Sequence, residues 1–285
     1  MDNGLQEKVR VAIERFRAFE PPDGYFLAYS GGKDSDCLKI LAGLSGVKYD
    51  AVHNLTTVDA PETIQYVKSQ SDVIIRPSYD RDGKHITMWN LIVRKGTPPL
   101  RISRYCCSEL KETGGKGRVT VTGVRWAESA RRKASWDVVA FIGKPKATQK
   151  LAEELGADYA IAKQGAIVLN DDNDVNRRMV EHCYRTRKTI LNPIVEWTDE
   201  DVWIFLHHYG CRSNPLYECG YARIGCIGCP MAGTRAREAE FARYPAYKQA
   251  YIRAFDKMLE KRRLDGRECF VWETGEDVFH WWING

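Results

Sequence analysis

Two groups of residues in this chain have the types and the spacing to do chemistry. The first is Ser30-Gly31-Gly32-Lys33-Asp34-Ser35. It follows the apolar run Tyr25-Phe26-Leu27 and precedes the amphipathic run Cys37-Leu38-Lys39-Ile40-Leu41. That order predicts a strand, a tight glycine turn and a helix start. Two adjacent glycines let backbone N–H groups close around an anion without Cβ interference. The helix N-terminus adds partial positive charge, Lys33 a full one, and Ser30 and Ser35 supply hydroxyls. The design suits a phosphate or a pyrophosphate. It is not the Walker loop, because the four-residue spacer before Gly-Lys is missing. The second group is Cys106-Cys107 with Cys226-Ile227-Gly228-Cys229. Zinc usually takes four thiolates from two Cys-x-x-Cys knuckles, and adjacent cysteines make a poor knuckle. They fit a [4Fe-4S] cube, whose separate irons each take one thiolate. Zinc stays open as the alternative.

The elements that must position these groups follow from the pattern around them. Leu5, Val9, Ala12, Phe16 and Phe19 fall at helical spacing, so residues 4–19 are read as an amphipathic helix. A second strand is expected around Tyr49–His53. It runs into a segment, 54–63, in which Pro61 opens a helix with Glu62 at its positive end. In an open parallel sheet, ligands bind beyond the carboxyl ends of the strands, so this segment, with Thr57, should line the same crevice. Asp72–Arg76 reads as a third strand and 85–94 as a helix. Strand and helix alternating at this spacing predict a parallel sheet. A further strand over 118–122 delivers Gly123, Arg125, Glu128, Ser129 and Arg132. Thr148–Leu155 is expected to be helical, and 159–162 and 166–169 to form a hairpin. Asn170-Asp171-Asp172-Asn173-Asp174 could ligate Mg²⁺ but reads first as a solvated turn. Thr198 is a natural N-cap, with acids behind it. Residues 236–263 are expected to form one long helix, and the aromatic tail to pack back. A division into 1–205 and 206–285 follows, the second part small, mainly helical and cysteine-containing.

The first group resembles the PP-loop of the ATP pyrophosphatases, the adenine nucleotide α-hydrolase superfamily. Gly123-x-Arg125-x-x-Glu128-Ser129-x-x-Arg132 is similar to the segment of PAPS (phosphoadenosine phosphosulfate) reductases that contacts the nucleotide's anionic groups. Asn192-Pro193-Ile194, the Trp197–Trp203 stretch and the Cys-Cys…Cys-x-x-Cys arrangement resemble the same family, in its iron–sulfur type. The resemblance implies a Rossmann-like α/β fold with a parallel sheet and helices on both faces. It implies an adenine nucleotide bound by Ser30, Gly31, Gly32, Lys33, Asp34, Ser35, Thr57, Gly123, Arg125 and Ser129. Lys33, Asp34, Arg125 and Arg132 would be catalytic, and Cys106, Cys107, Cys226 and Cys229 would hold the metal. Sulfonucleotide reductases carry a catalytic cysteine in Glu-Cys-Gly-x-His, whereas here Glu268-Cys269 runs into Phe270. They also degrade the PP-loop, which this chain keeps.

Composition bounds the rest. The chain has 285 residues, 44% hydrophobic and 28% charged, as an ordinary soluble globule does. No apolar run is long enough to cross a bilayer and Met1-Asp2-Asn3-Gly4 opens no signal peptide, so a cytoplasmic protein with no membrane partner is expected. Nine cysteines, an odd number, argue for metal or sulfur chemistry over a disulfide framework. The net charge of +5 permits an anionic substrate without requiring nucleic acid. Residues 231–263 carry nine Lys/Arg against four Asp/Glu, read mainly as a solvated face. Three functions compete. The leading one is ATP cleavage at the α-phosphate with iron–sulfur-dependent sulfur transfer. The second is reduction of PAPS or APS (adenosine phosphosulfate) to sulfite. The third is a nucleotide- or nucleic-acid-binding module with a structural metal. A sulfur donor or reductant protein, a nucleic acid as sulfur acceptor, and a homodimer are compatible partners.

Overall fold

The computed structural model describes residues 1–115, 117–128, 190–267 and 271–284; at 140–141, 159–161, 167–169, 181–183 and 188–189 it describes the backbone alone. In chain order the strands are β1 (Tyr25–Ala28), β2 (Tyr49–Asn54), β3 (Val73–Arg76), β4 (Ser78–Tyr79), β5 (His85–Ile86), β6 (Val119–Val121), β7 (Ala140–Phe141), β8 (Tyr159–Ile161), β9 (Ile167–Leu169), β10 (Glu181–Cys183) and β11 (Lys188–Leu191). The helices are α1 (Asn3–Ala18), α2 (Lys33–Ser45), α3 (Pro61–Ser69), α4 (Met88–Lys95), α5 (Asp199–His208), α6 (Thr234–Arg243), α7 (Pro245–Leu264) and α8 (Gly275–Asn284).

These elements form two compact units that interleave along the chain. The first holds residues 1–53, 65–75 and 114–223, and the second 54–64, 76–113 and 224–285. The sequence reading cuts the chain once, at 205/206. The difference has a packing cause: Trp89 of α4 stacks edge-on against Tyr251 of α7 at 5.1 Å, which gathers the 76–113 segment to the C-terminal helices.

The first unit is built on a sheet ordered β10-β11-β6-β1-β2-β3. The pairs β1–β2, β1–β6 and β6–β11 are parallel and β10 is antiparallel to β11. The chain steps outward from β1 through β2 to β3, then returns to the other side of β1 as β6. That reversal is a topological switch point, where an open α/β sheet opens a crevice at the strands' carboxyl ends. Helices flank the sheet. Leu5, Val9, Ala12 and Phe16 form the buried stripe of α1, as the spacing predicts. They join Leu38 and Leu41 of α2 and Trp197 and Phe205 around α5 in one core. The Tyr25 hydroxyl donates to the Phe16 carbonyl at 2.8 Å, so this buried phenol is satisfied. β7, β9 and β8 form a separate antiparallel sheet, and β8 with β9 is the expected hairpin. The helix expected over 148–155 and the polar turn at 170–174 lie outside the described residues.

The second unit buries aromatic rings between helices. Trp282 of α8 lies 4.8 Å from Tyr251 and 5.5 Å from Phe255, and its indole N–H donates to the Pro99 carbonyl at 2.7 Å. The tail therefore packs back. The single helix expected over 236–263 is two helices, α6 and α7. Pro245 has no N–H to continue the ladder and forces Tyr244 out of helical geometry, to φ −121° and ψ 66°.

Gly115 sits at φ +66°, and a Cβ there would lie 2.6 Å from the Phe26 ring under the sheet. Gly117 has φ +80° but open space around it. Gly115→Ala should therefore cost about 2–5 kcal/mol, left-handed strain plus overpacking, and Gly117→Ala only about 1–2 kcal/mol. Urea denaturation of the two variants checks the difference; equal losses would mean that Phe26 makes room.

Candidate functional site

The loop after β1 is shaped by its own residues. Gly31 takes φ +75°, and Gly32 is the N-cap of α2. The Ser35 hydroxyl donates to the Gly32 carbonyl at 2.7 Å and accepts the Gly32 N–H at 3.1 Å; the Ser30 hydroxyl lies 3.3 Å from it. Ser35 thus holds the turn closed, and the Gly32 amide is already committed. The Lys33 amide donates to the Tyr217 hydroxyl at 2.9 Å, and the Asn214 side-chain amide donates to the Gly31 carbonyl at 3.1 Å. Trp203 of α5 packs edge-on against the Tyr217 ring at 5.0 Å. Sequence reasoning missed Asn214 and Tyr217, because nothing local links them to a turn about 180 residues earlier.

β6 neighbours β1, so the segment leaving β6 reaches this loop. A Cβ on Gly123 would lie 2.8 Å from that of Asp34, so only glycine allows this approach. Arg125 follows and is 1% exposed. Its Nε donates to Asp34 at 2.7 Å, one terminal nitrogen to Asp199 at 2.6 Å, and the other to the Trp197 carbonyl at 3.3 Å. The sequence reading places Arg125 on the nucleotide's phosphates. Its guanidinium, with five N–H donors, makes these three bonds, to two carboxylates and a carbonyl. Lys33, 6% exposed, has its ammonium 3.4 Å from Asp199 and 3.8 Å from Asp34. Asp199 is the first residue of α5, behind the Thr198 cap, whose hydroxyl accepts the Asp201 N–H. Hydrogen bonding from Arg125 holds the Asp199 carboxyl below its ordinary range. Ser129 and Arg132 lie outside the described residues.

One turn further along α2, Asp36 is buried and accepts from Tyr29 at 2.6 Å and from Tyr66 at 3.0 Å. Burial pushes its carboxyl up to about 6, although both hydrogen bonds and Lys39 pull it down.

The cysteines and Thr57 belong to the second unit. Thr57 has φ +65°, an outlier for a β-branched residue, and its hydroxyl accepts the Met88 N–H at 2.9 Å, ahead of α4. Residues 58 and 227 join by a backbone hydrogen bond of 2.8 Å, and the Cys226 sulfur lies 3.5 Å from the Thr56 hydroxyl. The adjacent Cys106 thiol, with Lys111 and Arg104 nearby, favours the Cys107 thiolate, and Cys107 in turn keeps Cys106 protonated. Burial raises the Cys226 thiol while Lys111 opposes it. Cys106, Cys226 and Cys229 all act on the buried Tyr251 phenol, which places them in one neighbourhood. Among the described residues no three His, Cys, Asp or Glu side chains are arranged as a metal site. The donor set itself fits a thiolate-bound group: four sulfurs with a lysine to offset their charge. Cys219 belongs to the first unit and is exposed.

A parallel sheet whose switch point carries a Gly-Gly-Lys turn places that turn where open α/β sheets bind their ligands. The profile of the phosphoadenosine phosphosulfate reductase domain family matches residues 24–232, and the chain belongs to that family. It is 27% identical over 270 residues to an uncharacterised protein of Methanocaldococcus jannaschii, covering 90% of this chain and 52% of the relative. It is 26% identical over 156 residues to an uncharacterised 37.8 kDa protein of Escherichia phage 186, covering 55% and 38%. The chain thus spans only about half of these relatives or less. Over 54 residues it is 35% identical to the adenosine 5′-phosphosulfate reductase of Allochromatium vinosum, covering 19% and 21%. The phosphoadenylyl-sulfate reductase structure from Candida auris superposes with a TM-score of 0.46 at 11% identity, covering 79% and 96%. Among the described residues no helix is long and apolar enough to cross a membrane.

The Asp36 carboxyl is raised above its unfolded value, so the native state holds its proton more tightly. The sign follows: its stabilising contribution is full below about pH 4 and is lost as pH rises to about 6. Relative to Asp36→Asn, the wild type should lose up to about 3 kcal/mol across that window. Urea titrations of both proteins from pH 4 to 7 check it; parallel curves would show that Asp36 titrates normally.

Proposed function

We propose that the chain binds ATP at the loop after β1, cleaves it between the α and β phosphates, and uses the activated nucleotide for sulfur transfer. The observation that carries this reading is the complete Ser30–Ser35 turn at the switch point, with Lys33 at the N-terminus of α2. An acceptor atom would attack the α-phosphorus, the α–β bridging bond would break, and pyrophosphate would leave with the bonding electron pair. Lys33 would offset charge on that leaving group, and the helix terminus adds to it. Arg125 would act by fixing Asp34 and by restraining Asp199, the carboxylate 3.4 Å from the Lys33 ammonium. Membership of the family supports an enzyme acting on an adenine nucleotide. Reduction of PAPS or APS remains the competing chemistry, favoured by the short matches to adenosine phosphosulfate reductases. The complete loop favours ATP.

Cys106, Cys107, Cys226 and Cys229 would hold a [4Fe-4S] cluster, or zinc as the alternative. A bound cluster would supply a site for sulfur or electrons. Lys111, beside Cys226, would temper the charge of the thiolates.

Pyrophosphate release from ATP, set against sulfite release from PAPS with a thiol reductant, separates the two chemistries. Lys33→Ala should depress turnover about a hundredfold, as expected for one lost contact of ~3 kcal/mol made in the transition state, with a smaller change in ATP affinity. Tight PAPS binding, no ATP binding and sulfite as product would replace the ATP reading by the reductase.

Protein purified without oxygen should be brown, with about four irons per chain, and Cys226→Ser should lower its iron content. Stoichiometric zinc without visible absorbance would make the site a structural zinc centre.

A further inference from the structure

The second unit contains a groove of about 620 Å³ between α4 and α7, formed by residues the nucleotide reading does not use. We propose that this groove binds single-stranded nucleic acid, with a base in its apolar cleft and the backbone on its basic wall.

The volume falls within the roughly 300–1,000 Å³ of ligand clefts. Trp89 and Val93 form one wall, and Ala250 and Ala254 keep the opposite side shallow. Trp89 is half-buried: one side of it packs against Tyr251, and the ring also borders the groove. Thr87 and Asn90 add polar edges at the start of α4. Their side chains cap that helix, with the Asn90 N–H on the Thr87 hydroxyl and the Thr87 N–H on Asn90, so the groove's rim is rigid.

The basic wall is ordered. Arg253, Lys257 and Lys261 stand at i, i+4 and i+8 on α7, one row with steps of about 6 Å. Like charges at that spacing destabilise a helix. The carboxylates of the same stretch lie elsewhere: Asp256 turns away to accept the Gly275 N–H at 2.6 Å. No carboxylate lines the groove. Arg94 on the facing helix pairs with Glu109 at 3.0 Å, and Lys261 with Asp265 at 2.9 Å. Arg253 and Lys257 have no carboxylate partner among the described residues, and both are exposed. A periodic polyanion satisfies a regular row of cations. A planar, apolar-faced group satisfies the cleft beside Trp89. Single-stranded nucleic acid has both, because its phosphates repeat along a strand whose bases are free to leave the stack. An acidic peptide offers the charge but no flat group for the cleft, and a duplex keeps its bases paired.

This proposal stands apart from ATP cleavage and is read by binding alone. Fluorescence anisotropy of a fluorescein-labelled mixed-sequence 12-mer of single-stranded DNA, titrated with the full chain, should saturate and weaken steeply with added salt. Arg253→Glu with Lys257→Glu should weaken binding at least tenfold. Lys48→Glu with Lys84→Glu changes net charge equally, outside the groove, and should leave affinity within twofold. Trp89→Ala should cost roughly tenfold, as for a lost base stack. If the charge reversals fail to fold by circular dichroism, Arg253→Ala with Lys257→Ala makes the same comparison. No saturable binding at low salt would overturn the proposal. So would equal losses in the two double variants, tighter binding of the matching duplex, or displacement by polyglutamate at equal charge.

Discussion

The first unit depends on one buried guanidinium. Arg125 leaves the end of β6, passes under the loop after β1 and holds two carboxylates, Asp34 of α2 and Asp199 of α5. Without a cation between them, two acids at neighbouring helix starts would repel. With it, the starts of both helices are tied to the end of a central strand. A buried ion pair gives little net stability, because desolvating the charges offsets their attraction. Its loss is another matter: stranding one partner typically costs about 3–5 kcal/mol. The gain is therefore geometric. Lys33 and Arg125 together face Asp34 and Asp199, so the cluster is near neutral before any ligand arrives. The most exposed member of the cluster is Asp199, whose side chain is 70% exposed.

The second unit carries two cysteine pairs that are far apart in the chain. Cys106 and Cys107 lie in a short wide turn, and Cys226 and Cys229 in a glycine-bearing loop. The loop is fixed from below. Gly228, at φ +71°, lies where a Cβ would be 2.6 Å from Phe241, and its amide donates to Glu240 at 2.7 Å. The Tyr251 hydroxyl donates to the Ile227 carbonyl at 3.0 Å. Aromatic packing among Phe241, Tyr251 and Trp282 thus sets where the two thiols of the Cys-x-x-Cys loop stand.

What the sequence reveals and what it hides divide by range. The turn at 30–35, the Thr198 cap and the stripe of α1 are local patterns, and each is found where its spacing puts it. The break before Pro245 was also written locally, but the run of Phe241, Tyr247, Tyr251 and Phe255 mimics an unbroken helix. The carboxylate partners of Arg125 stand 91 and 74 residues away, so its ion pairs are not legible locally. Tyr217 sits 184 residues from the amide it occupies. The interleaving of the two units is not written locally either, because the contacts that gather 76–113 to the C-terminal helices, such as Trp89 on Tyr251, join residues far apart in the chain.

The same long-range contacts fix the loop after β1. Around the start of α2, the Lys33 amide, Asp34 and Asp36 are each bound to a different part of the first unit: Tyr217, Arg125, and the pair Tyr29 and Tyr66. Ser35 closes the turn from within. The start of α2 is thus held on several sides by residues distant in sequence. Tyr217 shows how far these contacts reach, since its oxygen accepts the first amide of α2. The exposed Asp199 carboxylate sits likewise on the Lys33 ammonium. Both contacts come from outside the turn, and Ser35 closes the turn beneath them.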